Sequence, residues 1–400
     1  MSNIPKLRFP EFSGEWEEKK LSDIMTRLTR KNLNNESSRA LTISSVDGLI
    51  DQGEFFKKQI ASKDTSGYYL LKKGDFAYNK SYSVGYDYGS IKRLDRYEDG
   101  VVSTLYICMS LTSDTNSDYL THYFDSMKWN KSVSEISAEG ARNHGLLNIP
   151  TEAFFQTKHY LAPSLPEQQK IADFLSNVDS IITAETKILN ALQKKKKALM
   201  QKLFTRQLRF KSDDGTDFPA WEEKKLGEFC KTYSGGTPKS GTADYYGGEI
   251  PFIRSGEISS NKTELFLTEK GMENSSAKMV SKGDILYALY GANSGLCSIS
   301  KIDGAINQAI LCIKTKENKR FLCNYLQYQR EYFYSTYLQG GQGNLSGKLV
   351  ESFIIPLPCI VEQQKIADCL SSIDSLIQTQ QKVITTWQQR KKALLQQMFI

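Results

Sequence analysis

The sequence predicts an α+β protein: two mixed α/β domains separated by two long antiparallel coiled-coil helices, related as a pseudo-twofold internal repeat. Three observations carry this. The heptapeptide EQQKIAD stands at 167–173 and again at 362–368. Extended without gaps, 167–204 and 362–399 agree at 20 of 38 positions. Upstream, LRF at 7–9 and WEEKKL at 16–21 return at 208–210 and 221–226. The expected domains are 1–165, a first helix at 166–206, a second domain at 207–360 and a second helix at 361–400. The intervening stretches, about 22–160 and 227–355, differ in length by ten residues. They share little beyond KGD (73–75, 282–284) and an apolar strand ending in Cys108 or Cys312. Two similar frames thus hold two dissimilar inserts, a plan suited to presenting two different surfaces in equivalent positions.

In the first helix, apolar side chains fall at Ile171, Leu175, Val178, Ile182, Leu189, Leu192, Leu199 and Leu203. The second repeats them at Ile366, Leu370, Ile373, Ile377, Ile384, Trp387, Leu394 and Met398. Alternating steps of three and four are the seam of a coiled coil. Pro166 suits a first helical turn, and Ser164 with Glu167 has capping-box spacing; Cys359 replaces that serine in the second copy. KKKK at 194–197 and RKK at 390–392 place cations toward the C-terminal ends, where the helix dipole favours them. Each helix of 38 residues would be roughly 57 Å long. An antiparallel pair would then put the N-terminal LRF beside the end of the second helix. Glu185 and Gln380 interrupt the seam at equivalent places. Either they meet as a polar pair that fixes register, or both face solvent where the seam is locally frayed.

The inserts alternate strand-like runs (GVVSTLYICMSL, GDILYALYG, AINQAILCIK) with amphipathic stretches (DYLTHYFDSMKW, FLCNYLQYQREYFYSTYL). Gly74 and Gly283 of the KGD motifs mark tight turns between strands. Seven cysteines include no CxxC pair, and the three histidines are scattered, so zinc and a disulfide framework are not expected. No apolar run approaches 18 residues, and the first residues lack an apolar signal core. A cytoplasmic protein without a membrane span is therefore expected. The net charge of +7 is compatible with a nucleic-acid partner.

Three stretches resemble the specificity subunit of a type I restriction-modification system: APSLPEQQKIADFL (162–175) with PLPCIVEQQKIADCL (356–370), SGGTPKSGTADYYGGEIPFIRSGEI (234–258), and GGQGNLSGKLVESFIIPLP (340–358). The resemblance covers almost the whole chain. The first insert departs from it, lacking the GGTP opening and matching only through RALTISSVDGL (39–49). The resemblance implies that each insert is a target-recognition domain reading one half of a split, asymmetric site in double-stranded DNA. It implies that the helices set the spacing between half-sites and dock two modification subunits. Those subunits would bind S-adenosylmethionine and methylate adenine, and restriction subunits would use ATP and magnesium. This chain would hold no cofactor.

The residues agree with a non-catalytic chain. There is no Pro-Pro dipeptide, and so no [ND]-P-P-[YF] methyltransferase signature. GGQGNLSGKL falls short of a phosphate loop at Gln342 and Leu349. Asp214, Glu222 and Lys224 form only a short, common nuclease-like pattern at a domain edge. Other readings are a coiled-coil adaptor binding proteins alone, or the specificity subunit of a system whose modification and cleavage functions share one partner chain. An adaptor has no need of two divergent domains with Lys-, Arg- and Asn-bearing glycine loops. Candidate DNA-contacting residues lie in such loops. In the first insert they are Ser44, Ser45, Lys80, Tyr82, Tyr86, Arg142, Asn143 and His144. In the second they are Thr237, Lys239, Arg254, Ser255, Tyr290, Asn293, Gln342 and Asn344. For each, a solvated loop residue is the plain alternative.

Overall fold

The computed structural model describes residues 3–45, 47–56, 61–62, 64–137, 147–337 and 344–400, without the side chains of residues 334 and 337. The chain divides into two compact units, Met1–Thr186 with Lys382–Ile400, and Lys187–Gln381. The division cuts through both long helices, Leu165–Phe204 and Ile360–Met398, rather than falling at their ends.

Within each unit a segment of one long helix lies antiparallel to a segment of the other. In the first unit, Ile171 and Leu175 share a core with Leu395, Met398 and Phe399. One to two turns further along, Lys391 pairs with Asp179 at 2.7 Å. In the second unit, Ile366 and Leu370 share a core with Met200, Leu203 and Phe204, and Lys196 pairs with Asp374 at 2.6 Å. Every seam position expected from the spacing is buried or half-buried. Glu185 and Gln380 are half-buried on their respective helices. Leu7 N donates to Gln397 O at 2.9 Å, as Leu208 N donates to Lys202 O at 3.0 Å. The N-terminal segment therefore docks on the end of the second helix just as the chain continues from the end of the first.

The inserts are built on one topology. In the first unit, an antiparallel sheet runs in the order Met25–Leu28, Ile107–Leu111, Phe76–Asn79, Ser90–Arg93. In the second, the order is Cys230–Ser234, Ile310–Thr315, Ile285–Ala288, Cys297–Ile299. Cys108 faces Ala77 as Cys312 faces Leu286, so even the register agrees. The shared EEKK letters form matching edge pairs: Glu17–Lys20 with Lys158–Leu161, and Glu222–Lys225 with Ile354–Leu357. The KGD motifs are the tight turns expected, with φ of 93° at Gly74 and 91° at Gly283. In each, the aspartate closes the turn: Asp75 accepts from Lys72 N and Asp284 from Ser281 N. Two runs that look continuous in sequence are each broken into two strands. GVVSTLYICMSL turns at Ser103–Tyr106 and AINQAILCIK at Asn307–Ile310, each closed by a backbone hydrogen bond. Apolar periodicity does not reveal a turn made of residues that would also suit a strand.

The repeated heptapeptide is the hinge pin of each unit. Glu167, 1% exposed, accepts from Arg8 Nε at 2.7 Å, Arg8 Nη2 at 2.9 Å and Trp16 Nε1 at 3.2 Å. Glu362, fully buried, accepts from Arg209 Nε at 3.1 Å, Arg209 Nη2 at 2.8 Å and Trp221 Nε1 at 3.0 Å. Thus the repeated LRF and WEEKKL are repeated because their Arg and Trp bind the repeated Glu. Gln168 accepts from Asn116 N and donates to Ala162 O; Gln363 does the same with Asn318 N and Pro358 O. Gln169 and Gln364 accept from the Asn116 and Asn318 side chains and donate to Asp173 and Asp368. Lys170 reaches Glu11, and Lys365 reaches Asp213. Ile171, Ala172 and their copies fill the cores. The expected capping box is only half present. Ser164 Oγ accepts from Glu167 N at 3.4 Å, but the Glu167 carboxylate is taken by Arg8 and Trp16.

Candidate nucleic-acid interface

In the second unit, most of the candidate residues that can be placed gather at one end of the central strand Ile285–Ala288. Leu289 N donates to Ala309 O at 2.8 Å, and Leu345 N donates to Leu289 O at 2.9 Å. These bonds bring the 290–295 loop, the 307–309 turn and Asn344 together. Thr237 Oγ1 donates to Gln308 Oε1 at 2.5 Å, adding the GGTP loop. That loop needs its paired glycines. A Cβ on Gly235 would fall 1.8 Å from Ile306 O, and one on Gly236 would fall 1.9 Å from Ser276 Oγ. A Cβ on Gly256 would lie 3.6 Å from Asn293 Nδ2, which sets the Arg254–Glu257 turn beside the same loop. Thr237, Lys239 and Asn344 are exposed, and Ser255 and Asn293 half-buried. Tyr290 is half-buried against the core. Gln342 lies outside the described residues.

Arg254 has a different occupation from the one its loop suggests. Its guanidinium holds Glu257 at 3.1 Å and Glu264 at 2.6 Å, and these carboxylates raise its pKa. Burial would push the Glu257 carboxyl up, but Arg254 and backbone N–H donors override it and hold it at about 2. The trio ties the turn together, so Arg254 positions its neighbours with its charge already matched. An arginine that loop composition did not single out supports the site instead. Arg330, on a helix, donates to Ser294 O at 3.0 Å and Ala292 O at 3.4 Å beneath the 291–295 loop. Its only sequence signal is a cation in an otherwise aromatic helical stretch.

The first unit gathers its loops at the equivalent end of its sheet, through one matching bond and contacts of its own. Leu147 N donates to Lys80 O at 2.9 Å, the counterpart of the Leu345–Leu289 bond. Ser45 Oγ lies 3.3 Å from both Ser83 Oγ and Ser90 Oγ, tying Ser45 to the 80–90 loop. Tyr82 is 47% exposed, while Lys80 and Tyr86 are half-buried. Burial lowers the Lys80 ammonium pKa. Ser44 is buried, and its hydroxyl donates to Asp47 at 2.8 Å and accepts from Asp47 N, so it closes the turn rather than facing outward. Arg142, Asn143 and His144 lie outside the described residues. Ser45 and Tyr86 line an open cavity of about 390 Å³ with Lys92, Lys391, Lys392 and Asp125, where ion pairs to Asp125 and Asp179 match the charges of Lys92 and Lys391.

His159 is held between Tyr123 Oη and Thr157 Oγ1, both at 2.8 Å, and burial pushes it down to about 4. Five of the cysteines are buried. Among the described residues, no three His, Cys, Asp or Glu side chains are placed to hold a metal, and no helix is long and apolar enough to cross a membrane.

Comparison with known proteins gives this geometry a family. The model of the type I restriction modification DNA specificity domain matches residues 13–194 and again 220–386, once for each frame. A putative type I restriction enzyme MjaX specificity subunit from Methanocaldococcus jannaschii is 27% identical over 98% of this chain and 95% of its own length. The EcoR124I/EcoR124II specificity subunit of Escherichia coli is 29% identical over 39% of this chain and 41% of its own. Among solved structures, the S subunit of a type I restriction-modification system from M. genitalium shares the fold with a TM-score of 0.56 at 14% identity, over 99% of both chains. A chain from a structure describing complex assembly and conformational transition of the type I system gives 0.55 at 17% identity, over 97% and 98%. With two matches that span most of the sequence and one fold from end to end, the chain belongs to the type I restriction-modification DNA specificity subunit family.

Proposed function

We propose that each unit reads one half of a bipartite, asymmetric site in double-stranded DNA. The helix pair carrying the two readers sets the gap between half-sites and docks two modification subunits. The chain itself is non-catalytic. S-adenosylmethionine is bound and adenine N6 methylated by the modification subunits, and ATP with magnesium is used by restriction subunits. The observation that carries this reading is the pairing of matching frames with dissimilar loops. The two sheets share strand order and register, yet the loops at 80–90 and 147 of one unit carry different residues from those at 289–295 and 345 of the other. Equivalent placement with different side chains is what reading two different half-sites requires, because base edges are distinguished by side-chain identity and position.

The test is methylome sequencing of cells expressing the chain with a modification subunit, beside cells expressing the modification subunit alone. A bipartite N6-methyladenine motif with one fixed gap, present only with the chain, is the expected result. A stable complex that creates no motif would overturn DNA reading and favour the adaptor alternative.

A further inference from the structure

The internal repeat allows charge to be compared between the two units position by position. Around the KGD turn the backbone bonds coincide. Gly74 N donates to Leu94 O and Leu94 N to Asp75 O; Gly283 N donates to Ser300 O and Ser300 N to Asp284 O. Lys73 therefore corresponds to Lys282, Arg93 to Ile299 and Asp95 to Lys301. The caps Asn116 and Asn318, bound alike to Gln168 and Gln363, equate Asp118 with Arg320. In the first unit these charges cancel. Arg93 pairs with Asp95 and with Asp118, both at 2.6 Å, and Lys73 pairs with Glu98 at 2.8 Å. In the second unit the central arginine is an isoleucine and both aspartates have become cations.

The result is an open cavity of about 590 Å³ in the second unit, lined by Lys196, Lys282, Lys301 and Arg320. Its one carboxylate, Asp374, is matched by Lys196 at 2.6 Å. Arg320 donates to Ser371 Oγ at 3.3 Å, and the Lys282 backbone N–H, not its ammonium, donates to Asp303. Among the described residues, no carboxylate forms an ion pair with Lys282, Lys301 or Arg320. Three like charges around one cavity repel one another unless an anion joins them. The Ser298 and Ser371 hydroxyls and the Asn324 amide supply further donors, while Gln327 donates to Cys297 O at 2.7 Å; among the described residues no aromatic ring lines the cavity for a base to stack on. This is chemistry for phosphate oxygens without a base.

The geometry points to a backbone-phosphate anchor for DNA in the second unit alone, separate from the base-reading loops. It rests on the DNA-reading function proposed above. Lys282 lies before the start of strand Ile285–Ala288 and the base-reading loops follow its end, and the strand itself spans about 13 Å at roughly 3.3 Å per residue. That lies well within the roughly 34 Å of one DNA turn. The anchor adds affinity without sequence preference and holds the duplex more tightly on the second half-site.

The experiment measures DNA affinity against salt for the complex with modification subunits, wild type and Lys282→Ala/Lys301→Ala. Losing a phosphate contact makes the slope of log K on log salt shallower by about 0.9. The double variant should lose between one and two such steps and keep the methylated motif unchanged. An unaltered slope overturns the anchor. If modification subunits then dissociate more readily, the cavity seats an acidic protein surface; if pyrophosphate still binds in a Lys282-dependent way by calorimetry, it seats a soluble phosphate compound. Failure of the wild-type complex to favour any sequence would instead refute the DNA-reading function, a result distinct from all of these.

Discussion

Removing the carboxylate at the start of each long helix should destabilise the two units unequally. Glu167→Ala leaves Arg8, whose side chain is 9% exposed, as a buried cation without a counter-charge, and leaves Trp16 Nε1 without its acceptor. Breaking a buried pair from one side costs about 3–5 kcal/mol, most of it for the stranded charge. Glu362→Ala does the same to Arg209 and Trp221; each arginine keeps two backbone carbonyls, Ser13 and Gly14 for Arg8, Phe218 and Pro219 for Arg209, but the Arg209 side chain is 29% exposed. Water recovers part of the lost interaction there, so about 2–3 kcal/mol is expected. A chain with two units need not unfold in one step, so a single melting curve would blur the comparison. Hydrogen exchange of amides in each unit reads the local opening free energy instead. Glu167→Ala should lower protection around 8–16 and 165–175, and Glu362→Ala around 209–221 and 360–370. Opening energies within about 0.5 kcal/mol of wild type for both variants, or a larger loss at Glu362 than at Glu167, would refute the reasoning.

His159 should make the first unit sensitive to acid. The folded imidazole is held near 4 by burial, against about 6.5 when unfolded, so the unfolded chain takes up the proton first. Stability is complete above about pH 6.5 and falls as pH drops toward 4, by up to roughly 3 kcal/mol. His159→Gln should flatten that slope in urea titrations at pH 7 and 5, and an unchanged slope would contradict it. Arg330→Ala should loosen the 291–295 loop and weaken DNA binding about tenfold, equivalent to about 1.4 kcal/mol, with assembly onto modification subunits preserved. Equal loss of assembly, seen by size-exclusion chromatography, would mean that Arg330 supports the whole unit. Glu185→Leu with Gln380→Leu should raise the melting temperature and loosen helix register, read as a methylated motif with more than one gap length. No change in either would remove these two residues from any role in register.

Much of the architecture is legible in the amino-acid order. A gapless repeat of 38 positions with three-four apolar spacing is a local signal, and it marked both long helices to within a few residues. The KGD turns were legible because a positive φ beside a turn-closing aspartate leaves Gly and Asp in the sequence. The candidate interface was legible only as a set of loops. Loop composition pointed to Arg254, whose charge the fold spends on Glu257 and Glu264, and passed over Arg330, which sits on a helix under the loop it supports. It also missed Lys282 and Lys301, ordinary beside a turn until the aspartates of the other unit are set against them.

Periodicity and repetition belong to neighbouring residues, so the amino-acid order alone established two equal frames, two unlike inserts and the helices that join them. The partners of a charge are not neighbours. Arg8 and Glu167 are 159 positions apart, Lys391 and Asp179 are 212 apart, and nothing in the intervening letters couples them. Folding decided which cations were neutralised inside the frame and which were left facing an open cavity. An ion pair depends on a few ångströms of separation and on exclusion of water, and packing sets both.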